Sequence, residues 1–219
     1  MADLDLSLYV VLDPRLTAGR PLMDVARAAL RGGATVLQLR DKEGSTRDLL
    51  DAARSLAALA CAAGARFVVN DQVAIAAAVG GGVHLGPDDP PIAAARALLG
   101  AEALVGFSAG VPAEARDAER AGADYLGAGA VYGTSSKADA GAPIGVVGLE
   151  RVIHATRLPV VAIGGVAPGR AAPCIVAGAM GVAVITAVTL APDVERAARA
   201  LRDEVEAARA RRQGYAPHR

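Results

Sequence analysis

The sequence predicts a single-domain α/β fold, a (β/α)8 TIM barrel, and three observations carry the prediction. Short apolar runs alternate with amphipathic stretches eight times along the chain, an order that implies parallel strands joined by helical crossovers. Runs such as Pro159-Val-Val-Ala-Ile163 are apolar throughout, as expected of strands covered on both faces. Eight units of about 27 residues close more naturally as a barrel than as an open doubly wound sheet.

The units follow from period and punctuation. A strand is expected from Ser7 to Leu12 and a helix from Pro21 to Leu30, stopped by Gly32-Gly33. The next pairs are Ala34 to Arg40 with Arg47 to Ala63, and Arg66 to Asn70 with Gln72 to Val79, closed by three glycines. Val83 to Leu85 precedes Ile92 to Leu99, Leu104 to Phe107 precedes Ala113 to Ala121, and Ala123 to Ala128 precedes Gly148 to Thr156. Val160 to Ile163 with Arg170 to Ala177, and Gly181 to Ile185 with Asp193 to Arg212, complete the set. Similar phrases at 32–36, 121–125 and 177–181 each close a helix and open a strand. The barrel is assigned to residues 1–208, and the basic stretch 209–219, with Gly214 and Pro217, is expected to fray.

With 219 residues and 53% apolar composition, the chain can bury one core but is short for two full domains. Abundant Ala, Val and Gly, with no Trp and two Phe, predict a core of small aliphatic side chains. Lysine plus arginine balance aspartate plus glutamate at 23 each, so no global charge draws the chain to nucleic acid or an anionic membrane. Any anion site must be local. No apolar run approaches the ~20 residues of a membrane span, and no basic, apolar leader opens the chain, so a cytoplasmic protein is expected. Cys61 and Cys174, far apart in Ala-rich surroundings, read as small buried hydrophobes without a chemical role.

In such a barrel the chemistry sits at the C-terminal strand ends. After strand 2, Gln38, Arg40 and Lys42 share parity and would face the mouth, while Leu37 and Leu39 face away; a strand emerging into a solvated loop is the plain alternative. Asp71 after strand 3 and Asp89 after strand 4 could share a hard cation, because neighbouring strands lie ~4.8 Å apart. Each could equally be a helix cap or turn former, and spacing does not exclude Asp88. His84, with no second histidine nearby, reads as orienting a group by hydrogen bonding. The glycine-punctuated run from Gly127 to Lys137 offers backbone amides, hydroxyls and one cation. Gly164-Gly165 and Ile185-Thr186 end strands 7 and 8, where barrels often place a phosphate cup, although glycines also serve tight turns. Two anion sites beside one cation site suggest an enzyme handling two phosphorylated small molecules.

Seven segments also stand in register with a known family. Gln38-Leu-Arg40-Asp-Lys42, Asn70-Asp71, Val83-His-Leu-Gly86-Pro-Asp-Asp89, Gly106-Phe-Ser108, Tyr132-Gly-Thr134-Ser-Ser136-Lys137-Ala-Asp139, Ala162-Ile-Gly-Gly165 and Val184-Ile-Thr186 together resemble thiamine phosphate synthases over nearly the whole chain. The resemblance implies a transferase that joins a pyrimidine diphosphate to a thiazole phosphate with loss of pyrophosphate. By it, Asp71 and Asp89 would hold Mg2+. Gln38, Arg40, Asn70, Ser108 and Lys137 would grip the pyrimidine diphosphate, with Lys42 and His84 as neighbours, and Arg40, Ser108 and Lys137 would form the catalytic set. Thr134, Ser136, Gly165, Ile185 and Thr186 would seat the thiazole phosphate. Partners would be two phosphorylated small molecules and no nucleic acid or membrane, with homo-oligomerisation left open.

Three rival readings are distinguishable. A thiazole tautomerase of the same superfamily would be expected to carry a histidine near Gly110, where the sequence reads Ala109-Gly110. A sugar-phosphate isomerase or epimerase would explain the glycines of strand 7 but not Arg40, Lys42 and Lys137 together. A catalytically silent thiamine-phosphate binding protein would keep the fold without needing the full charged set. The segment after Asp71 departs from the family, with Gln72 and Ala74 where Arg and Asp are common.

Overall fold

A computed structural model describes residues 4–134 and 141–214, the last two by backbone alone. Eight parallel strands close into one barrel in sequence order, β1-β2-β3-β4-β5-β6-β7-β8, with β8 returning to β1. They are β1 (Leu8–Leu12), β2 (Val36–Leu39), β3 (Arg66–Asn70), β4 (Gly82–Leu85), β5 (Val105–Ala109), β6 (Tyr125–Ala128), β7 (Val160–Ile163) and β8 (Gly181–Val184). Around them run α1 (Leu22–Arg31), α2 (Thr46–Ala62), α3 (Val73–Val79), α4 (Ile92–Leu99), α5 (Pro112–Ala121), α6 (Gly145–Ile153), α7 (Ala171–Val176), α8 (Thr186–Thr189) and α9 (Val194–Gly214). The predicted single-domain barrel is the fold observed.

Alternation along each strand sorts side chains into two cores. Leu8, Val10 and Leu12 of β1, and Leu37 and Leu39 of β2, pack outward among the helices. Tyr9, Val11, Val36, Val68, Tyr125, Val161 and Ala183 fill the barrel interior. The register Val11↔Gln38 and Asn70↔His84 brings the polar strand ends to one level. Each fully buried leucine contributes about 1.5–3 kcal/mol relative to exposure, so the outer layer carries much of the stability.

Four features differ from the expectations. Helix α8 has four residues, too few to show a helical period in the sequence. Helix α6 starts at Gly145, not Gly148, because Ile144 and Gly145 donate to the carbonyls of Ala130 and Val131, contacts that no local pattern reveals. Helix α9 runs to Gly214, so the boundary expected at Arg209 falls inside it. Arg209 donates to Ser7 Oγ and the Met180 carbonyl, and Arg212 Nη1 donates to the Ile175 carbonyl at 3.0 Å, which seats residues 209–212 against the barrel base. Finally, Cys61 is exposed on α2 while Cys174 is buried. Ala60 takes the inward position on that turn of α2, leaving its successor facing solvent.

Candidate active site

A cavity of about 410 Å³ opens at the C-terminal strand ends, within the range of small-molecule sites. Gln38, Arg40 and Lys42 line it together, as their shared parity predicts. Gln38 is buried and Arg40 nearly so, whereas Lys42 stands exposed at the rim. Arg40 Nη1 donates to Asp13 Oδ2 at 2.8 Å, and Arg15 Nε reaches Asp13 Oδ1 at 3.3 Å. Asp13 is fully buried one residue beyond β1. Sequence reasoning missed it, although Asp13 continues the inward parity of Tyr9 and Val11.

Asn70, Asp71, Asp88 and Asp89 line the same cavity from the ends of β3 and β4. Asp71 has a left-handed backbone, φ 63°, a conformation that Asp and Asn reach more readily than other non-glycine residues. Its N–H donates to the His84 carbonyl of the neighbouring strand at 2.9 Å, and Gln72 and Ala74 are exposed. Asp89 Oδ2 accepts from Gly86 N–H at 2.7 Å. Asp89 is therefore a turn former and a cavity residue at once. Among the described residues no three His, Cys, Asp or Glu side chains gather as a metal cluster. Asp71, Asp88 and Asp89 line the cavity at this end, a small carboxylate set of the kind that suits Mg2+, an ion that keeps several waters and uses few protein ligands.

His84 sits between hydroxyls: its Nδ1 is 3.0 Å from Tyr125 Oη and its Nε2 is 3.0 Å from Ser108 Oγ. Tyr125 Oη is 2.9 Å from Tyr9 Oη, which accepts from Gln38 Nε2 at 2.8 Å. Burial raises both phenol pKa values well above the ordinary tyrosine range. Glu114 also reaches the cavity, but its Oε2 accepts from Gly110 and Val111 N–H at the start of α5.

At the opposite wall stand Thr134, Gly164, Gly165, Ile185 and Thr186. Beyond β6 the chain keeps pairing with the β7 end, as Val131 and Tyr132 N–H donate to the Ile163 and Gly164 carbonyls at 2.8 Å. Glycine is required there by conformation and space. Gly164 and Gly165 have φ of 92° and 67°, and a Cβ on Gly165 would stand 2.4 Å from the Gly133 carbonyl oxygen. Ser136 and Lys137 lie outside the described residues. Every other residue to which the sequence assigned a substrate, metal or catalytic role lines this one cavity. The inner tyrosines were missed; inward parity in β1 and β6 was the signal available.

Residues 8–188 match the family model described as thiamine monophosphate synthase. The chain belongs to the thiamine monophosphate synthase family. It is 51% identical over 203 residues to a thiamine-phosphate synthase of Moorella thermoacetica, covering 92% of this chain and 97% of that one. A thiamine-phosphate synthase of Natronomonas pharaonis is 50% identical over 206 residues, covering 92% and 96%. Among solved structures, a thiamine phosphate pyrophosphorylase from Pyrococcus furiosus superposes with a TM-score of 0.86 at 40% identity, covering 94% and 98%. Membership in this family places the chain among transferases. Orotidine 5'-phosphate decarboxylase of Pyrococcus horikoshii, at 14% identity and TM-score 0.69, shares the fold alone. No helix among the described residues is long and apolar enough to cross a membrane.

Proposed function

We propose that the chain condenses 4-amino-5-hydroxymethyl-2-methylpyrimidine diphosphate with hydroxyethylthiazole phosphate, or its carboxylated form, to give thiamine phosphate and pyrophosphate. The observation that carries this reading is one cavity with cationic and carboxylate groups on the β2 to β4 side and a glycine-walled recess at β7 and β8. In the reaction, the bond from the pyrimidine methylene carbon to the diphosphate oxygen breaks and its electron pair leaves with pyrophosphate. The thiazole nitrogen lone pair then forms the new carbon–nitrogen bond.

The protein's part is positioning and electrostatics. Arg40, fixed by Asp13, meets the diphosphate from a nearly buried position, and Lys42 and Asn70 approach it from the same side. Gln38, His84 and Ser108 face the ring. Asp71 and Asp89 would hold Mg2+, which supplies neutralising charge to the leaving group. The backbone at Gly164-Gly165, with Thr134 and Thr186, suits the thiazole phosphate. By family resemblance, Ser136 would contact the thiazole phosphate and Lys137 the diphosphate. The cytoplasm is the proposed compartment, and partners beyond the two substrates are not invoked.

The test is incubation of the purified protein with both substrates, with and without Mg2+, following pyrophosphate and thiamine phosphate. Product that forms only with the metal is expected. A folded protein that binds the thiazole phosphate but yields no product would overturn the assignment.

A further inference from the structure

Four consecutive hydrogen bonds cross the floor of the cavity: Gln38 to Tyr9, Tyr9 to Tyr125, Tyr125 to His84, and His84 to Ser108. Both ends, Gln38 and Ser108, face the cavity, and the tyrosine rings between them are buried. We propose that Tyr9, Tyr125 and His84 are positioning residues that fix the direction of this chain, so that Ser108 donates its proton into the cavity and selects a substrate ring bearing an acceptor nitrogen.

Proton counting gives the direction. Each phenol has one proton to donate. Tyr9 Oη already accepts from Gln38 Nε2, so its own proton goes to Tyr125 Oη, and Tyr125 in turn donates to His84 Nδ1. An imidazole that accepts at Nδ1 carries its proton at Nε2 when neutral, and His84 Nε2 therefore donates to Ser108 Oγ. With that oxygen accepting from His84, the Ser108 proton is left for a ligand. Burial keeps both phenols protonated, which holds the sense of the chain.

The barrel makes room for this arrangement at two glycines inside strands. A Cβ on Gly106 would stand 2.1 Å from Tyr125 Cζ, and one on Gly127 would stand 3.2 Å from His84 Cε1. Neither has a positive φ, so space and not backbone freedom explains them. The ligand class is an electron-rich nitrogen heterocycle with an unprotonated ring nitrogen. This part of the inference rests on the proposed reaction, whereas the direction of the chain does not.

Two measurements separate the parts. Long-range 15N–1H spectra at pH 8 without substrate, with the His84 signals assigned from their loss in His84→Gln, should show His84 as the Nε2–H tautomer. Tyr125→Phe should convert it to a mixture of tautomers. In the synthase assay, Tyr125→Phe should lower kcat/KM for the pyrimidine diphosphate by about tenfold while leaving the Kd of the thiazole phosphate unchanged. If that variant does not fold, Tyr9→Phe is read in its place, acting one bond further along. An Nδ1–H tautomer in the wild type, or substitutions that leave both the spectrum and kcat/KM unchanged, would overturn the proposal. Wild-type protein with the Nε2–H tautomer but no synthase product would sink the reaction reading and keep the direction of the chain.

Discussion

Asp13 holds Arg40 through an ion pair of 2.8 Å while its own side chain has no exposed surface and its second oxygen accepts from Arg15. Removing one partner of a buried pair typically costs 3–5 kcal/mol, because the other charge remains uncompensated. Asp13→Ala strands the nearly buried Arg40, whereas Arg40→Ala leaves Asp13 still paired with Arg15. Urea unfolding should therefore show a loss of about 3 kcal/mol for Asp13→Ala and a smaller loss for Arg40→Ala. Turnover should fall more than tenfold in both. Equal destabilisation by the two substitutions would contradict this account of the pair.

That pair marks how far sequence reading reaches. The trio Gln38, Arg40 and Lys42 was legible because parity is a local property of one strand. A single aspartate after a strand looks the same whether it caps a turn or neutralises an arginine 27 residues away, and only the closed barrel distinguishes them. The chain from Tyr9 to Tyr125 spans 116 residues for the same reason. Helix α8 escaped because four residues show no helical period, the early start of α6 because tertiary bonds define it, and the arginines of α9 because their partners are mostly backbone carbonyls. Glycines at strand ends were visible, but the space they clear was not.

Asp71 separates backbone from charge. At φ 63° most side chains pay roughly 1–2 kcal/mol, while asparagine, like aspartate, takes this conformation more readily. Asp71→Asn should keep the melting temperature within about two degrees of wild type, yet lower turnover more than tenfold and raise the Mg2+ concentration needed for half-maximal rate. Asp71→Ala should lower the melting temperature as well. A Mg2+ titration beside a thermal melt checks both. An unchanged titration for Asp71→Asn removes this carboxylate from the metal site.

Gly165→Ala tests the recess at β7. The new methyl would meet the Gly133 carbonyl oxygen at 2.4 Å in a backbone region already strained for alanine, so the loop after β6 must move. The KM for the thiazole phosphate should rise at least tenfold, with the KM for the pyrimidine diphosphate changed less than threefold, because Arg40 and Asp71 stand on the opposite wall. Equal changes in both constants would show that the two ends of the cavity are not separate.

At the barrel base, Asp5 joins the N-terminus to α9: it accepts from Ser7 N–H at 2.9 Å and pairs with Arg202 at 3.2 Å. Partial burial opposes its charge, but bonds from Ser7 and the nearby Arg202 and Arg209 outweigh that and hold its pKa below the ordinary carboxylate value. A carboxyl whose folded pKa is depressed stabilises the fold above its unfolded pKa of about 3.9, and that contribution is lost as pH falls through the lower folded value. Asp5→Asn should therefore lower stability at pH 7 and flatten its decline below pH ~4, measured as denaturation midpoints across pH. The group is 45% exposed, so solvent screening keeps the difference small, and high salt should shrink it further. A variant that loses stability equally at pH 7 and pH 3 would assign the effect to the Ser7 contact and not to the carboxylate charge.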